Sequence, residues 1–421
     1  MSDEHRQGPI PPDSPSRRSL LRIAGIAGAA GLVGIAGAAG TVALMLGYAA
    51  PQRGPGVPLQ RTRQASVLGL PNERFFPFYG LDRLEAECRA AVDRQRRALA
   101  PGAPLPPVQL LAMSGGGESG AFGAGLLCGW SEYGTRPVFE LVTGVSTGAL
   151  AAPLAFLGRA YDPQLRAMFN ELKASDVMAS RGYSAALFDD ALNDNQPLFR
   201  TISRVVDEAM LTALAKAYGE GRLLFIGTTD LDAQQPVIWN IGAIAASGHP
   251  RALDTIRRLL LASAAIPGVF PPTMIDVTLD GKRYQEMHVD GGAFMQVFLY
   301  PDGMSAERQE RMQNGEAVVP AIAYVIRNAW LGPDWSVVER STLGITQRAV
   351  STLIASSGYN DILRLFGITQ QDNIDFRLAY IGADFDREMT EPFDHRWMQA
   401  LFDYGYQRAR NGYAWAARPP V

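Results

Sequence analysis

The chain has 421 residues, 47% of them hydrophobic and 19% charged, which is enough for a large folded core and is unlike a disordered polymer. Its formal net charge of -3, without a long basic run, excludes nucleic acid as an expected partner. Two cysteines (Cys88, Cys128) and four scattered histidines form no ligand motif, so neither metal nor other cofactor is expected, and the cysteines read as buried free thiols.

Residues 1–16 are polar and proline-rich, a composition that does not fold. Ser16-Arg17-Arg18-Ser19-Leu20-Leu21-Arg22 resembles a twin-arginine export signal. Ile23 to Ala50 then runs without a charge, with a glycine at every third position from Gly25 to Gly40. At about 1.5 Å per residue it is long enough to cross an apolar core of about 30 Å. A weakly apolar Gly/Ala segment behind an arginine pair suits an export signal; an ordinary membrane anchor is the other reading. Gly47-Tyr48-Ala49 offers a small-x-small cleavage site. Both readings put the folded part outside the cytoplasm, in the periplasm or on the extracytoplasmic face of the inner membrane. The export machinery and a membrane surface are the expected partners.

Residues 51–66 read as a linker, followed by the aromatic cluster Phe75, Phe76, Phe78 and Tyr79. The cluster suits an interfacial contact or packing onto the core. Asp82-Arg83-Leu84-Glu85 reads as a capping box opening a helix to Leu99. The proline-rich stretch 101–107 ends that extension, and the main domain is expected over 108–421. There strands and helices alternate. Val108–Met113 is a strand, and a Gly-rich turn leads into a helix through Leu126 and Trp130. Val138–Thr143 is a second strand, followed by the helix Ala149–Leu157, and 160–220 is mainly helical. Leu223–Thr228 and Val237–Ile241 are strands, Arg251–Ala264 is helical, and Pro267–Pro272 is a rigid loop. Met274–Leu279 and Arg283–Val289 flank Asp280-Gly281 as a hairpin. Ala321–Ile326 and Phe376–Ile381 are strands, and His395–Arg410 is the closing helix. Such alternation predicts a layered α/β domain around a mainly parallel sheet.

Three elements carry chemistry. Gly144-Val145-Ser146-Thr147-Gly148 sits between a strand and a small-residue helix, where a sharp turn would project the Ser146 hydroxyl. Ser114-Gly115-Gly116-Gly117-Glu118-Ser119-Gly120 lies between the first strand and its helix, so its backbone N–H groups form an anion cradle. That cradle reads as an oxyanion hole or as a phosphate-binding loop. The dinucleotide reading needs an acid at a strand end about 20 residues on, whereas Glu140 is expected inside its strand. His288-Val289-Asp290-Gly291-Gly292 follows a strand with no partner strand after it, unlike Asp280-Gly281. An acid at such a strand end points into the functional crevice.

In this order the three motifs resemble the patatin-like phospholipase pattern: a Gly-rich oxyanion loop, a Gly-x-Ser-x-Gly elbow and Asp-Gly-Gly. Ser263-Ala264-Ala265-Ile266-Pro267-Gly268-Val269-Phe270-Pro271-Pro272 is similar to the segment that family carries before its aspartate. The resemblance implies a three-layer α/β/α domain. It also implies a lipid acyl hydrolase of the phospholipase A or esterase type, in which Ser146 attacks an ester and Asp290 takes its proton. Gly115, Gly116, Gly117 and Glu118 would form the oxyanion hole, with Gly120, Gly144, Gly148, Gly291 and Gly292 as motif glycines. The family often has a basic residue just before the last glycine of the first motif, where this chain has Ser119. Two rival readings stay open at this point: a Ser146-Asp290-His395 triad of the α/β-hydrolase kind, and a non-catalytic lipid-binding protein.

Overall fold

The computed structural model describes residues 53–180, 191, 193–301, 305–333 and 335–420. The twin-arginine motif and the apolar segment Ile23–Ala50 lie outside the described residues. Among the described residues, no helix is long and apolar enough to cross a membrane.

The strands are β1 (Arg74–Phe75), β2 (Val108–Met113), β3 (Leu141–Val145), β4 (Ala179–Ser180), β5 (Asn193–Asp194) and β6 (Leu223–Asp230). Then come β7 (Gln235–Asn240), β8 (Thr273–Leu279), β9 (Lys282–Asp290), β10 (Ala321–Arg327) and β11 (Asp375–Tyr380). The helices are α1 (Asp82–Ala98), α2 (Gly120–Tyr133), α3 (Thr147–Leu157), α4 (Asp162–Asn170), α5 (Ala174–Val177) and α6 (Gln196–Val205). They continue with α7 (Glu208–Gly219), α8 (Ile241–Ala246), α9 (Ala252–Ser263), α10 (Ala306–Gln313), α11 (Thr342–Gln371) and α12 (His395–Arg410).

One large sheet has the order β1-β7-β6-β3-β2-β10-β11, with β9 also pairing β6 and β8 pairing β9. The run β11-β10-β2-β3-β6 is parallel. The contacts of β7 and β9 with β6 are antiparallel. The expected α/β class with a mostly parallel central sheet is therefore present. Parallel strands need cover on both faces, and two apolar clusters supply it. One joins Val142, Leu224 and Tyr324 to residues of α2, α3, α9 and α12, such as Phe122, Leu154, Leu259 and Phe402. The other joins Leu141, Phe225 and Val325 to Leu84 of α1 and Ile362 and Leu365 of α11. Chain order advances from β2 through β3 to β6 on one side, and β10 lies on the other. The chain order thus reverses at β2, and ligands of such sheets bind beyond the carboxyl ends of the strands at that switch point.

Several expectations shift. Leu81, not Asp82, caps α1, and no side-chain cap bond forms, so the capping box is absent. The segment expected as a linker is docked. Arg53 makes two 2.7 Å bonds to Asp232, and Ser66 bridges to Thr278 in β8. The second strand starts at Leu141, which leaves Glu140 ahead of it, accepting from the Gln109 amide at 2.6 Å. The described residues of 160–220 are mainly helical, with the two-residue ladder β4–β5 as an addition. The hairpin β8–β9 turns at Asp280 (φ 50°) and Gly281 (φ 74°), the double positive φ of a two-residue turn. Of the aromatic cluster, Phe75 and Phe76 are buried while Phe78 is 64% exposed, edge-on to Phe294. The 30-residue helix α11 was not anticipated. Its three glycines, β-branched residues and single charge before Asn360 blur the apolar period that marks a helix. Both cysteines are free.

Candidate active site

β3 ends at Val145, α3 begins at Thr147, and Ser146 is the single residue between them. It holds φ 55° and ψ −127°, a conformation that costs a non-glycine residue of order 1–3 kcal/mol and survives only where neighbours enforce it. The enforcement is visible. The Ser146 amide donates to Ser263 Oγ at 3.0 Å, and the Ser263 hydroxyl donates on to the Gly227 carbonyl at 2.7 Å. Close approach demands the flanking glycine: a Cβ at Gly148 would lie 2.4 Å from the Met113 carbonyl oxygen. The turn therefore sits hard against the end of β2.

Asp290 ends β9 opposite Thr228 of β6. Because β9 is antiparallel, its carboxylate reaches the carboxyl edge of the parallel strands from the far side. The Ser146 hydroxyl donates to Asp290 Oδ2 at 2.5 Å, and the Gly292 amide donates to Oδ1 at 2.7 Å. The Asp290 amide itself donates to Ala265 at 2.9 Å. The segment Ser263–Ala265 thus fastens both halves of the pair, the serine through a hydroxyl and the aspartate through a carbonyl. Asp290 is 5% exposed and Ser146 6%. Burial pushes the Asp290 carboxyl up to about 6, against the pull of the Ser146 and Gly292 hydrogen bonds.

The Gly-rich loop leaves β2 beside this pair. Gly115 stands against the Ser146 side chain, and its amide is taken by the Gln296 carbonyl at 3.1 Å. Gly115 is therefore removed as an oxyanion donor. Among the described residues the Gly116 and Gly117 amides have no protein acceptor. Gly117 holds φ 54° beside open space, and a Cβ at Gly116 would strike the Asn328 carbonyl oxygen at 2.1 Å. Asn328 closes the loop from behind: its side-chain amide donates to Ser114 O at 2.9 Å, and its Oδ1 accepts from the Gly123 amide at 3.1 Å. Glu118 is turned away, its Oε1 accepting from the Phe393 amide at 3.2 Å.

The family model described as "Patatin-like phospholipase" matches residues 111–300. Residues 111–300 thus match a patatin-like phospholipase domain. No curated protein matches the sequence. Among solved structures it is similar to VipD from Legionella pneumophila at 11% identity and a TM-score of 0.34, over 74% of this chain and 68% of that one. That likeness is too slight to carry an argument. The match to that family implies a lipid acyl hydrolase.

The three sequence motifs converge on one site, whereas the histidine of the triad reading does not join them. A triad puts an imidazole between serine and acid. Here Ser146 and Asp290 touch directly, and His395 opens α12, whose first amides are capped by Asp394. Reading motifs alone missed the supporting residues Ser263, Gln296 and Asn328. Ser263 could have been found, since it opens the Ser-Ala-Ala-Ile-Pro segment that was singled out.

Sequence spacing also missed a buried polar cluster behind Asp290. Donor atoms of Asp230, Glu286 and His288 come within 4.8 Å of one another, close enough to hold a cation. The two Glu286 oxygens accept from Arg74, His288 Nε2 lies 3.2 Å from Glu286, and its Nδ1 lies 2.9 Å from Thr228 Oγ1. Asp230 Oδ1 accepts from the amides of Asp232 and Ala233. The cation already bound to Glu286 is the Arg74 guanidinium.

Proposed function

We propose that the chain is a serine lipid acyl hydrolase that cleaves carboxylic esters with a Ser146–Asp290 dyad. The observation that carries this reading is the 2.5 Å bond from a strained, elbow-borne hydroxyl to a buried carboxylate. An ordinary carboxylate, with a pKa near 3.9, is a weak base for an alcohol. Burial raises Asp290 to about 6, nearer the working range of a general base.

In the proposed reaction Ser146 Oγ attacks the ester carbonyl carbon while its proton passes to Asp290 Oδ2. The amides of Gly116 and Gly117 receive the oxyanion. One such donor is typically worth about 2.7–4 kcal/mol in the transition state. Collapse expels the alcohol, which takes the proton from Asp290 and leaves an acyl ester on Ser146. Water then attacks that ester with Asp290 again as base, releasing the fatty acid and restoring the serine. The residues proposed for this chemistry need no metal.

The catalytic domain is proposed to span 108–421. The arginine pair Arg17-Arg18 and the uncharged stretch Ile23–Ala50 support export by the twin-arginine route and work at an extracytoplasmic membrane surface. The decisive experiment labels the protein with a fluorophosphonate and follows hydrolysis of a short p-nitrophenyl ester in the presence of a chelator. Wild type should label at Ser146 and turn over. A folded Ser146→Ala protein should do neither, losing at least about 10⁴-fold in kcat. Near-normal turnover by that variant would sink the assignment, and loss of wild-type turnover on chelation would sink its metal-free chemistry.

A further inference from the structure

Arg327 ends β10 on the same edge of the sheet as Ser146. β10 pairs β2 with Ile326 opposite Met113, and β2 pairs β3 with Met113 opposite Gly144. Arg327 and Ser146 therefore lie at neighbouring levels, two strands apart. At about 4.8 Å per strand their backbones are roughly 10 Å apart across the mouth of the Gly-rich loop.

Arg327 is only 4% exposed, and its Nε and Nη1 have no hydrogen-bond partner among the described residues. Burial lowers its pKa to about 10, opposed by the charge of Asp361. Asp361 does not close on it: its Oδ2 is committed to the amides of Gln296 at 2.6 Å and Val297 at 3.3 Å. Two arginine side chains equally removed from water are treated differently. Arg74 pairs with Glu286 and the Ala65 carbonyl. Arg136 pairs with Asp162 and also donates to Ser131 and the Ala155 carbonyl. A buried cation with no hydrogen-bonded anion is expensive, so a fold that leaves one on the same sheet edge as Ser146 has an acceptor still to receive.

The fold also makes room for this side chain. A Cβ at Gly358 of α11 would lie 2.4 Å from Arg327 Nη2, so the glycine lets the guanidinium lie against the helix backbone. The turn of α11 just before Gly358 is exposed along 351–356, including Leu353 and Ile354, while Ile362 and Leu365 beyond it are buried.

We propose that Arg327 is an anion subsite of the Ser146 crevice and takes the phosphate of a glycerophospholipid whose acyl ester lies at Ser146. The guanidinium fork matches phosphate oxygens, and the acyl carbonyl and phosphate of one glycerophospholipid are separated by a distance of the order of the gap between the two residues. The subsite selects phospholipid over neutral glyceride, and it rests on the ester-hydrolase reading above.

The test compares full-length wild type, Arg327→Gln and Arg327→Lys on dioleoyl phosphatidylglycerol and on dioleoylglycerol in the same neutral detergent micelles. The quantity read is the ratio of the two kcat/KM values, which cancels any loss of folded enzyme. Arg327→Gln should lower the phospholipid-to-glyceride ratio roughly ten- to hundred-fold, the usual weight of charge-assisted hydrogen bonds. Arg327→Lys should keep part of the preference, and it carries the comparison if Arg327→Gln does not fold. Inorganic phosphate should inhibit glyceride hydrolysis in wild type and do so several-fold more weakly in both variants. An unchanged ratio overturns the proposal, including the case in which both rates fall together and Arg327 is only structural. Inhibition by inorganic phosphate with an unchanged ratio means that the site takes a free anion and not a headgroup, which also overturns it. Hydrolysis of the glyceride but not the phospholipid by wild type rejects the subsite and spares the esterase. Failure on both lipids and on fluorophosphonate rejects the esterase reading itself.

Discussion

β9 holds two buried carboxylates four residues apart, Glu286 at its middle and Asp290 at its carboxyl end, and they have opposite fates. Glu286 meets Arg74 and His288; burial pushes its carboxyl upward, but the guanidinium and the imidazole outweigh that, and it settles at about 2. Asp290 meets only a hydroxyl and an amide, and burial lifts it to about 6. Same strand, same side-chain type, similar burial: the difference is whether a cation was brought to the site. Paired Glu286 is a structural anchor. Unpaired Asp290 keeps a carboxylate that binds a proton at near-neutral pH, as a general base must.

The largest expected effect comes from removing the unpaired carboxylate. Asp290→Asn should cost 10²–10⁴-fold in kcat, the usual weight of a general base, while the same substitution should stabilise the fold. Its folded pKa lies above the unfolded value, so the stability tied to its proton is present below about pH 4 and is lost as pH rises through 6. Above that the ionised group is a burden of up to roughly 3 kcal/mol. Urea unfolding at pH 8 should therefore show the variant to be the more stable protein; a less stable Asp290→Asn would contradict the burial argument. The wild-type kcat/KM profile should fall below about pH 6 for the same reason, and a flat profile down to pH 4.5 would remove Asp290 as the base.

At Glu286 the signs reverse. Glu286→Ala strands Arg74 and should destabilise the fold by about 3–5 kcal/mol at pH 7, read from the same urea curves. Wild-type stability linked to Glu286 is present above its unfolded pKa and is lost as pH falls from about 4 towards 2. A neutral Glu286→Ala would mean that the Arg74 pair contributes nothing.

A smaller effect is expected where Ser263 ties the elbow down. Ser263→Ala removes the bond to the Ser146 amide and the bond to Gly227, and should lower stability by about 1–3 kcal/mol. Since the strained Ser146 backbone loses a restraint, kcat should fall with it, by roughly ten-fold. A drop in melting temperature with kcat untouched would make Ser263 a core residue alone. The smallest effect is expected at His395. Its helix is capped by Asp394, so His395→Ala should change kcat/KM by less than about three-fold, within the range of an ordinary surface substitution. Inactivity equal to that of Asp290→Asn would restore the triad.

How much of this was legible beforehand follows from what each feature depends on. Ser146 could be read because a strand, a glycine-flanked serine and a small-residue helix are contiguous, and the strand-to-helix turn is a local event. Asp290 could be read by contrast with Asp280, since only Asp280 is followed by a partner strand. The direction from which Asp290 arrives could not: antiparallel pairing with β6 is set by the register of a strand some 60 residues earlier. Arg74 gave no sign of its role, because its partner Glu286 lies 212 positions away. α11 was invisible because its buried stripe is confined to its second half. Gly115 looked like its neighbours in the loop, and only the carbonyl of Gln296, brought in by another segment, took its amide.

The sequence by itself determined the α/β alternation, the three motifs and their order, and hence the nucleophile and acid most worth testing. These rest on short-range chemistry: glycine where backbone must turn or touch, apolar runs where strands are buried, and proline where an element must stop. The tertiary structure alone decided that Ser146 and Asp290 meet at hydrogen-bond distance and that, among the described residues, Gly116 and Gly117 keep free amides while Gly115 does not and Arg327 has no hydrogen-bonded anion. Those depend on desolvation and on pairing between groups far apart in the chain, and burial is a property of the fold that no residue carries in its own neighbourhood.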